Sequence, residues 1–171
     1  MKKIFFLAAL VLTAAFTLTS CGGDDEPKVK TTVTSNYYMT FSQDLLDACN
    51  MYIIYKAENG RNVYEPITST VWSKAITSDK FPAEFGVMCT FSTKSETELT
   101  KEKYNLTCDL NFSSKTSKGA SYSNNVSILN ETGVSKNKVI STLSKYSGKK
   151  VGYKVTEGGI YSEANNLNYD L

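Results

Sequence analysis

Two segments of this chain alternate apolar and polar residues with a period of two, and that alternation limits what it can fold into. Phe85, Val87, Cys89 and Phe91 recur at every second position, and so do Tyr104, Leu106, Cys108, Leu110 and Phe112. Successive side chains of an extended strand point to opposite faces, so each segment presents one apolar and one polar face. A helix of 3.6 residues per turn would scatter the same side chains around its circumference. Residues 94–103, between the two segments, are mostly charged and polar, so the whole reads as a hairpin with a long loop. With the turn centred between Glu98 and Leu99, Cys89 stands opposite Cys108, Phe91 opposite Leu106 and Val87 opposite Leu110, all facing the core. That pairing allows a disulfide between Cys89 and Cys108. Whether one forms depends on the pair type and on the redox compartment.

The rest of the chain repeats the strand signal. Val33–Phe41 is rich in β-branched and aromatic residues. Met51-Tyr52-Ile53-Ile54-Tyr55-Lys56 is apolar without alternation, which suits a central strand covered on both faces. Asn59-Gly60 supplies the positive φ of a hairpin turn, and Asn62–Ile67 returns. Residues 71–77 place Trp72, Lys74 and Ile76 on one face. Residues 120–129 form a weaker strand, Val151, Tyr153 and Val155 alternate again, and residues 160–164 close the series. Ser42 is positioned to cap a helical turn over Gln43 to Asp47. Ser135 is positioned to cap a short helix with Val139, Ile140, Leu143 and Tyr146 on one face and Gly148 at its end. Roughly eight or nine short strands at regular spacing predict an all-β fold, an antiparallel β-sandwich of immunoglobulin-like, Greek-key type with one short helix near the C-terminus.

Composition removes much chemistry. The chain has no histidine, which excludes Ser-His-Asp and Cys-His nucleophile pairs and imidazole metal sites. None of the 4 cysteines is spaced C-x-x-C, so no thiolate metal cage is expected, and neither is a cofactor. Basic and acidic residues number 19 and 17, and Arg61 is the one arginine. That balance does not suit nucleic acid, whose affinity comes from clustered cations on phosphate. Gly148-Lys149-Lys150 resembles the end of a phosphate loop, but Leu143 stands where the first glycine belongs. Lys145, Lys149, Lys150 and Lys154 read as a solvated face. Trp72 suits a sugar-stacking platform or, more commonly, a core position. Asp44 and Asp47 have helical i, i+3 spacing, for which turn and cap roles are the simpler explanation.

The start of the chain carries an address. Met1-Lys2-Lys3 is followed by a 15-residue uncharged, mostly apolar run over 4–18, shorter than the roughly 20 residues needed to span a bilayer and suited to a secretory leader. Leu18-Thr19-Ser20-Cys21 resembles a bacterial lipobox, and Gly22-Gly23-Asp24-Asp25-Glu26 resembles the acidic export signal of Bacteroidota-type surface lipoproteins. The resemblance implies that residues 1–20 are a signal peptide and that Cys21 is the lipid attachment site. It further implies that residues 21–32 are a flexible acidic tether, leaving the sandwich to residues 33–171. It implies a protein anchored by palmitate-type acyl chains in the outer membrane and exposed at the cell surface. The expected function is a non-catalytic binding or interaction module for a glycan or protein ligand. The alternative is a small carboxylate-dependent hydrolase or the accessory subunit of a surface enzyme complex.

If every strand simply reverses the one before, residues 42–49, 68–70, 95–102 and 130–135 gather at the end away from Val33. A surface partner meets that end first, and loops on a rigid sandwich are where recognition is expected. The address itself is directly testable. Mass spectrometry of the protein taken from host membranes should find Cys21 as an acylated first residue, and Cys21→Ser should leave the protein unacylated. An unmodified Cys21, or cleavage elsewhere, overturns the reading.

Overall fold

The computed structural model describes residues 30–169. The expected leader (residues 1–20), Cys21 and residues 21–29 of the expected tether lie outside the described residues. Among the described residues there are nine strands: β1 (Val33–Phe41), β2 (Cys49–Lys56), β3 (Asn62–Ile67), β4 (Val71–Ser78), β5 (Ala83–Thr93), β6 (Lys103–Thr116), β7 (Ser121–Ser135), β8 (Lys149–Val155) and β9 (Tyr161–Glu163). Helix α1 (Gln43–Ala48) follows β1, and α2 (Val139–Tyr146) precedes β8. The strands form two antiparallel sheets, in the orders β4-β1-β6-β7 (sheet A) and β3-β2-β5-β8-β9 (sheet B). The expected β-sandwich is therefore present. After two strands in sheet B the chain returns to lay β4 beside β1, a Greek-key connection spread over two sheets. The order is this chain's own, because β1 and β2 sit in different sheets, whereas immunoglobulin domains keep them as neighbours.

The alternating rows supply the core. Tyr37, Met39 and Phe41 of β1 and Tyr104, Leu106, Leu110 and Phe112 of β6 face Met51, Ile53, Phe85, Val87 and Tyr153 of sheet B, all buried. Each such side chain contributes about 1.5–3 kcal/mol by leaving water. Phe112 of sheet A stacks on Tyr153 of sheet B at 4.9 Å between ring centres. The Tyr153 phenol finds the Ser35 hydroxyl inside the core, which removes the cost of burying an unpaired polar group. Trp72 is 7% exposed and tilts against Tyr37 and Tyr55, at 6.3 and 5.7 Å. It is a core residue and not a platform.

The long hairpin expected over residues 85–112 is corrected. β5 pairs with β2 and β8, and β6 with β1 and β7, so the polar stretch between them crosses from one sheet to the other. Cys89 and Cys108 both face the core, but Cys89 is laddered to Ile53 and Lys149, and Cys108 to Phe41 and Leu129. Period two determines which face a residue takes. It does not tell whether two apolar rows pair edge to edge or pack face to face. The C-terminal helix also departs from expectation at one position: Val139 and Leu143 are buried, while Ile140 is 42% exposed. A 3-10 turn over Lys136–Lys138 separates Ser135 from the α-helix and rotates its face.

Sheet B's outer face explains the unalternating run in β2. Ile54, Ala164, Leu167 and Tyr169 form a small second core, joined by Met88. The C-terminal segment thus straps the sheet from outside, and β2 is covered on both faces. Room for the strap comes from Gly86 and Gly152, which are partners across β5 and β8. A Cβ on Gly86 would collide with the Tyr169 hydroxyl and stand 2.6 Å from the Val151 carbonyl oxygen. One on Gly152 would meet the Ala164 carbonyl oxygen at 2.9 Å. The Lys56 and Lys150 ammonium groups each lie 5.7 Å from the centre of the Tyr169 ring. Gly86→Ala should lower stability by about 2–3 kcal/mol through overpacking, read as a shift in the denaturant midpoint. Tyr169→Ala should destabilise too, and the double variant should lose less than the sum of the two. Additive losses would mean that the strap does not occupy the glycine slot.

Candidate functional site

The strand directions bring four connections together. Val33 pairs with Ser78 and with Thr116, so the turns over 79–82 and 117–120 lie at the end where the described chain enters. Successive strands reverse without exception among the described residues, and residues 42–49, 68–70, 95–102 and 130–135 meet at the opposite end. The Phe41 amide donates to the Thr70 carbonyl at 2.9 Å, and the Ser42 amide to Thr107 at 3.1 Å. The Lys136 amide reaches Glu102 at 3.0 Å. Residues 130–135 are the end of β7 and not a loop.

That end is organised by α1. Ser42 caps it as expected, its hydroxyl accepting from the Leu45 amide at 3.2 Å. Asp44 and Asp47 do lie on one face, and Lys101 bridges them at 2.6 and 2.8 Å. The Asn105 amide, first, and Lys101 hold the Asp44 carboxyl below the usual aspartate range. Lys101 and then Gln43 do the same for Asp47. The two carboxylates in turn raise the Lys101 ammonium. A general acid of the glycosidase kind needs a raised carboxyl, so this triad works as a clasp joining α1 to the 94–102 connection.

Of the four basic residues singled out in the sequence, Lys149, Lys150 and Lys154 take separate structural tasks, and Lys145 is exposed on α2. The Lys149 ammonium donates to the carbonyls of Ser127 and Ile128 at 3.4 and 3.3 Å, across the open edge of β7. Lys150 serves the strap through the Leu167 carbonyl at 3.4 Å. Lys154 pairs with Glu84 at 2.8 Å. Gly148, at φ +80°, turns the chain from α2 into β8.

The surface that stands out chemically is the outer face of sheet A. Strand register places its side chains in four rows of four. One row is Ser73, Tyr38, Asn111, Asn125. Beside it lie Val71, Thr40, Asp109, Ser127 on one side and Ala75, Asn36, Ser113, Ser123 on the other. Thr77, Thr34, Lys115, Ser121 complete the grid. Asp109 and Lys115 are its two charged members. At about 4.8 Å between strands and about 6.8 Å between rows, the grid spans roughly 14 by 20 Å. Tyr38, 49% exposed, stands near its middle. Around it opens a hollow of about 470 Å³ floored by Thr40, Asp109, Asn111, Asn125 and Ser127. A second hollow of about 410 Å³ continues over Asn36, Ser113, Lys115, Ser121 and Ser123.

No loop, acid pair or tryptophan platform in the sequence points to this grid. Its signal was present as the polar half of each alternating strand, where serine, threonine and asparagine replace the usual lysine and glutamate. Among the described residues, no group of three or more potential ligand side chains is placed to hold a metal ion, and no helix is long and apolar enough to cross a membrane. No protein-family model matches the chain, and comparison with curated proteins and with solved structures finds no match either.

The clasp has a pH signature. Asp44 and Asp47 are stabilised in their charged form by folding. Their contribution is therefore full above the unfolded aspartate value of about 3.9 and is lost as pH falls through the lower folded values. Lys101→Met should cost little at neutral pH, because the triad is solvent-screened. It should shrink the further stability loss seen on acidification below about pH 4. Denaturant titrations at pH 3 and pH 7 measure both, and an unchanged acid limb would mean that the clasp is not intact in solution.

Proposed function

We propose that this chain is a lipid-anchored, surface-exposed, non-catalytic binding module, and that the outer face of sheet A holds a neutral glycan. The anchor and address rest on Leu18-Thr19-Ser20-Cys21 and the acidic residues behind it, in the manner of Bacteroidota-type surface lipoproteins. Several acyl chains give firm membrane attachment where one is marginal.

The observation that carries the ligand class is the nearly uncharged grid around Tyr38. Charged residues make up 21% of the chain, yet eleven of the sixteen side chains on this face are hydroxyls or carboxamides, and Tyr38 adds an exposed aromatic ring. Hydroxyls and carboxamides both donate and accept, which matches the mixed donors and acceptors of a sugar. A tyrosine ring offers an apolar plane for the C–H face of a pyranose while costing little conformational freedom. An anionic ligand would call for clustered cations, and a tight protein interface for a larger apolar centre. Asp109 is the grid's one carboxylate, whereas glycoside hydrolysis uses two across the scissile bond. That favours holding over cutting.

The test is binding by the full chain in detergent to a panel of neutral and charged polysaccharides, followed by titration calorimetry. Tyr38→Ala should weaken binding about tenfold or more, as truncation of a central tyrosine does. Asn111→Ala should weaken it too. Raising the salt from 50 to 500 mM should change the affinity little, because no charge pairs are broken. Binding that survives both substitutions, or that vanishes with salt, moves the site elsewhere or changes the ligand class.

A further inference from the structure

The two sheets do not close on one another along the side where β7 and β9 are the outer strands. The inward side chains Tyr122, Asn124 and Val126 of β7 are only partly buried. Between them and Val151, Tyr153 and Glu163 of sheet B opens a cleft of about 230 Å³. Its floor is the Phe112–Tyr153 stack. At one end Tyr122 stacks on Tyr161, with 5.2 Å between ring centres and 20° between planes. At the other end the Lys149 ammonium crosses to the Ser127 and Ile128 carbonyls of β7. The cleft is thus closed at both ends and open to the side.

Two polar side chains stand at its mouth. Asn124 is the ladder partner of Phe112, and Glu163 is that of Tyr153. Because Phe112 and Tyr153 stack on one another, Asn124 and Glu163 lie on facing rows, one strand farther out. Inward rows of a sandwich normally supply apolar side chains to the core. Here they carry a carboxamide and a carboxylate, and among the described residues no other group engages either one.

We infer that this cleft takes one neutral sugar residue, the end residue of the glycan lying on the outer face of sheet A, an assignment that rests on the glycan reading of that face. Pockets for drug-sized ligands measure roughly 300–1,000 Å³, so this smaller space suits a single ring. Tyr122, Tyr153 and Tyr161 offer apolar planes to the C–H face of a pyranose. Asn124 both donates and accepts, and Glu163 accepts from hydroxyls. A charged ligand of either sign meets its like, because Glu163 repels an anion while Lys149 and Lys150, also lining the cleft, repel an ammonium. Position supplies the chain end. Asn125 closes the Tyr38 row on the outer side of β7, and Asn124 beside it turns inward. A glycan running along that row reaches the edge strand and folds over it into the cleft. The closed ends leave no way onward, so the residue held there is terminal.

The experiment titrates the full, isotope-labelled chain in detergent with free glucose, galactose, mannose, xylose, fucose and N-acetylglucosamine and follows amide resonances. At least one sugar should shift the Asn124 side-chain amide, identified by its loss in Asn124→Ala, together with the backbone amides of Tyr122 and Glu163. The expected Kd is about 1–10 mM, the scale that a dozen heavy atoms reach at ordinary ligand efficiency. Asn124→Ala and Glu163→Ala should each weaken that sugar about tenfold, with Tm unchanged because neither side chain is buried. Shifts confined to the sheet A grid, or no shift from any of these sugars, overturn the cleft as a sugar site. With a polysaccharide that the grid binds, partial hydrolysis multiplies chain ends at constant mass and should raise the binding per gram. Unchanged binding per gram overturns the assignment of the chain end. A monosaccharide held in the cleft with no polysaccharide bound supports the sugar site, and overturns the glycan reading of the grid and the chain-end assignment with it.

Discussion

Everything in this molecule depends on two apolar rows that have no other place to go. Apart from β2, which is apolar on both sides, the strands of the two sheets turn most of their large side chains inward, and neither sheet can shield that side alone. Face-to-face closure removes both from water at once, and the stack of Phe112 on Tyr153 marks where the two surfaces interdigitate. The Tyr153 phenol enters the core paired with the Ser35 hydroxyl. Where the opposite row of a strand is left outside both cores, it is free to be chosen for something other than stability.

The two sheets use that freedom differently. Sheet B hides part of its outer face under the strap, which takes space that only Gly86 and Gly152 leave open. Sheet A leaves its outer face uncovered and fills it with small hydroxyl and carboxamide side chains around Tyr38. A face of this kind adds little to folding energy, since its polar groups stay in water in the folded chain. The proposed glycan role gives that composition a purpose that packing does not. The clasp of Asp44, Asp47 and Lys101 and the open grid are also separated in task. One holds the end of the sandwich together, while the other presents hydroxyl and carboxamide groups to solvent.

The cysteines show how a correct local inference can carry a wrong connection. The spacing of Cys89 and Cys108 turns both toward the core, and that much holds. Their strands do not form a ladder: Cys89 is paired within sheet B and Cys108 within sheet A.

What the sequence determines by itself is local and periodic. Alternation in β1, β5, β6 and β8 marks the inward residues, the uninterrupted run in β2 marks a strand covered twice, and Ser42 marks a cap. The steady reversal of strand direction puts residues 42–49, 68–70 and 95–102 at one end. The missing histidine removes whole classes of chemistry before any fold is known. Tertiary structure alone decides which strands become neighbours, because hydrogen bonds between backbones are indifferent to side-chain identity and the choice is made by global packing. That choice turns the polar halves of β4, β1, β6 and β7, four unremarkable strings of serine, threonine and asparagine, into one continuous face. It also brings Tyr169 onto Gly86 across eighty-odd residues of chain. Neither juxtaposition has a local signal, since the residues meet only after loop closure has brought together segments that are distant in sequence.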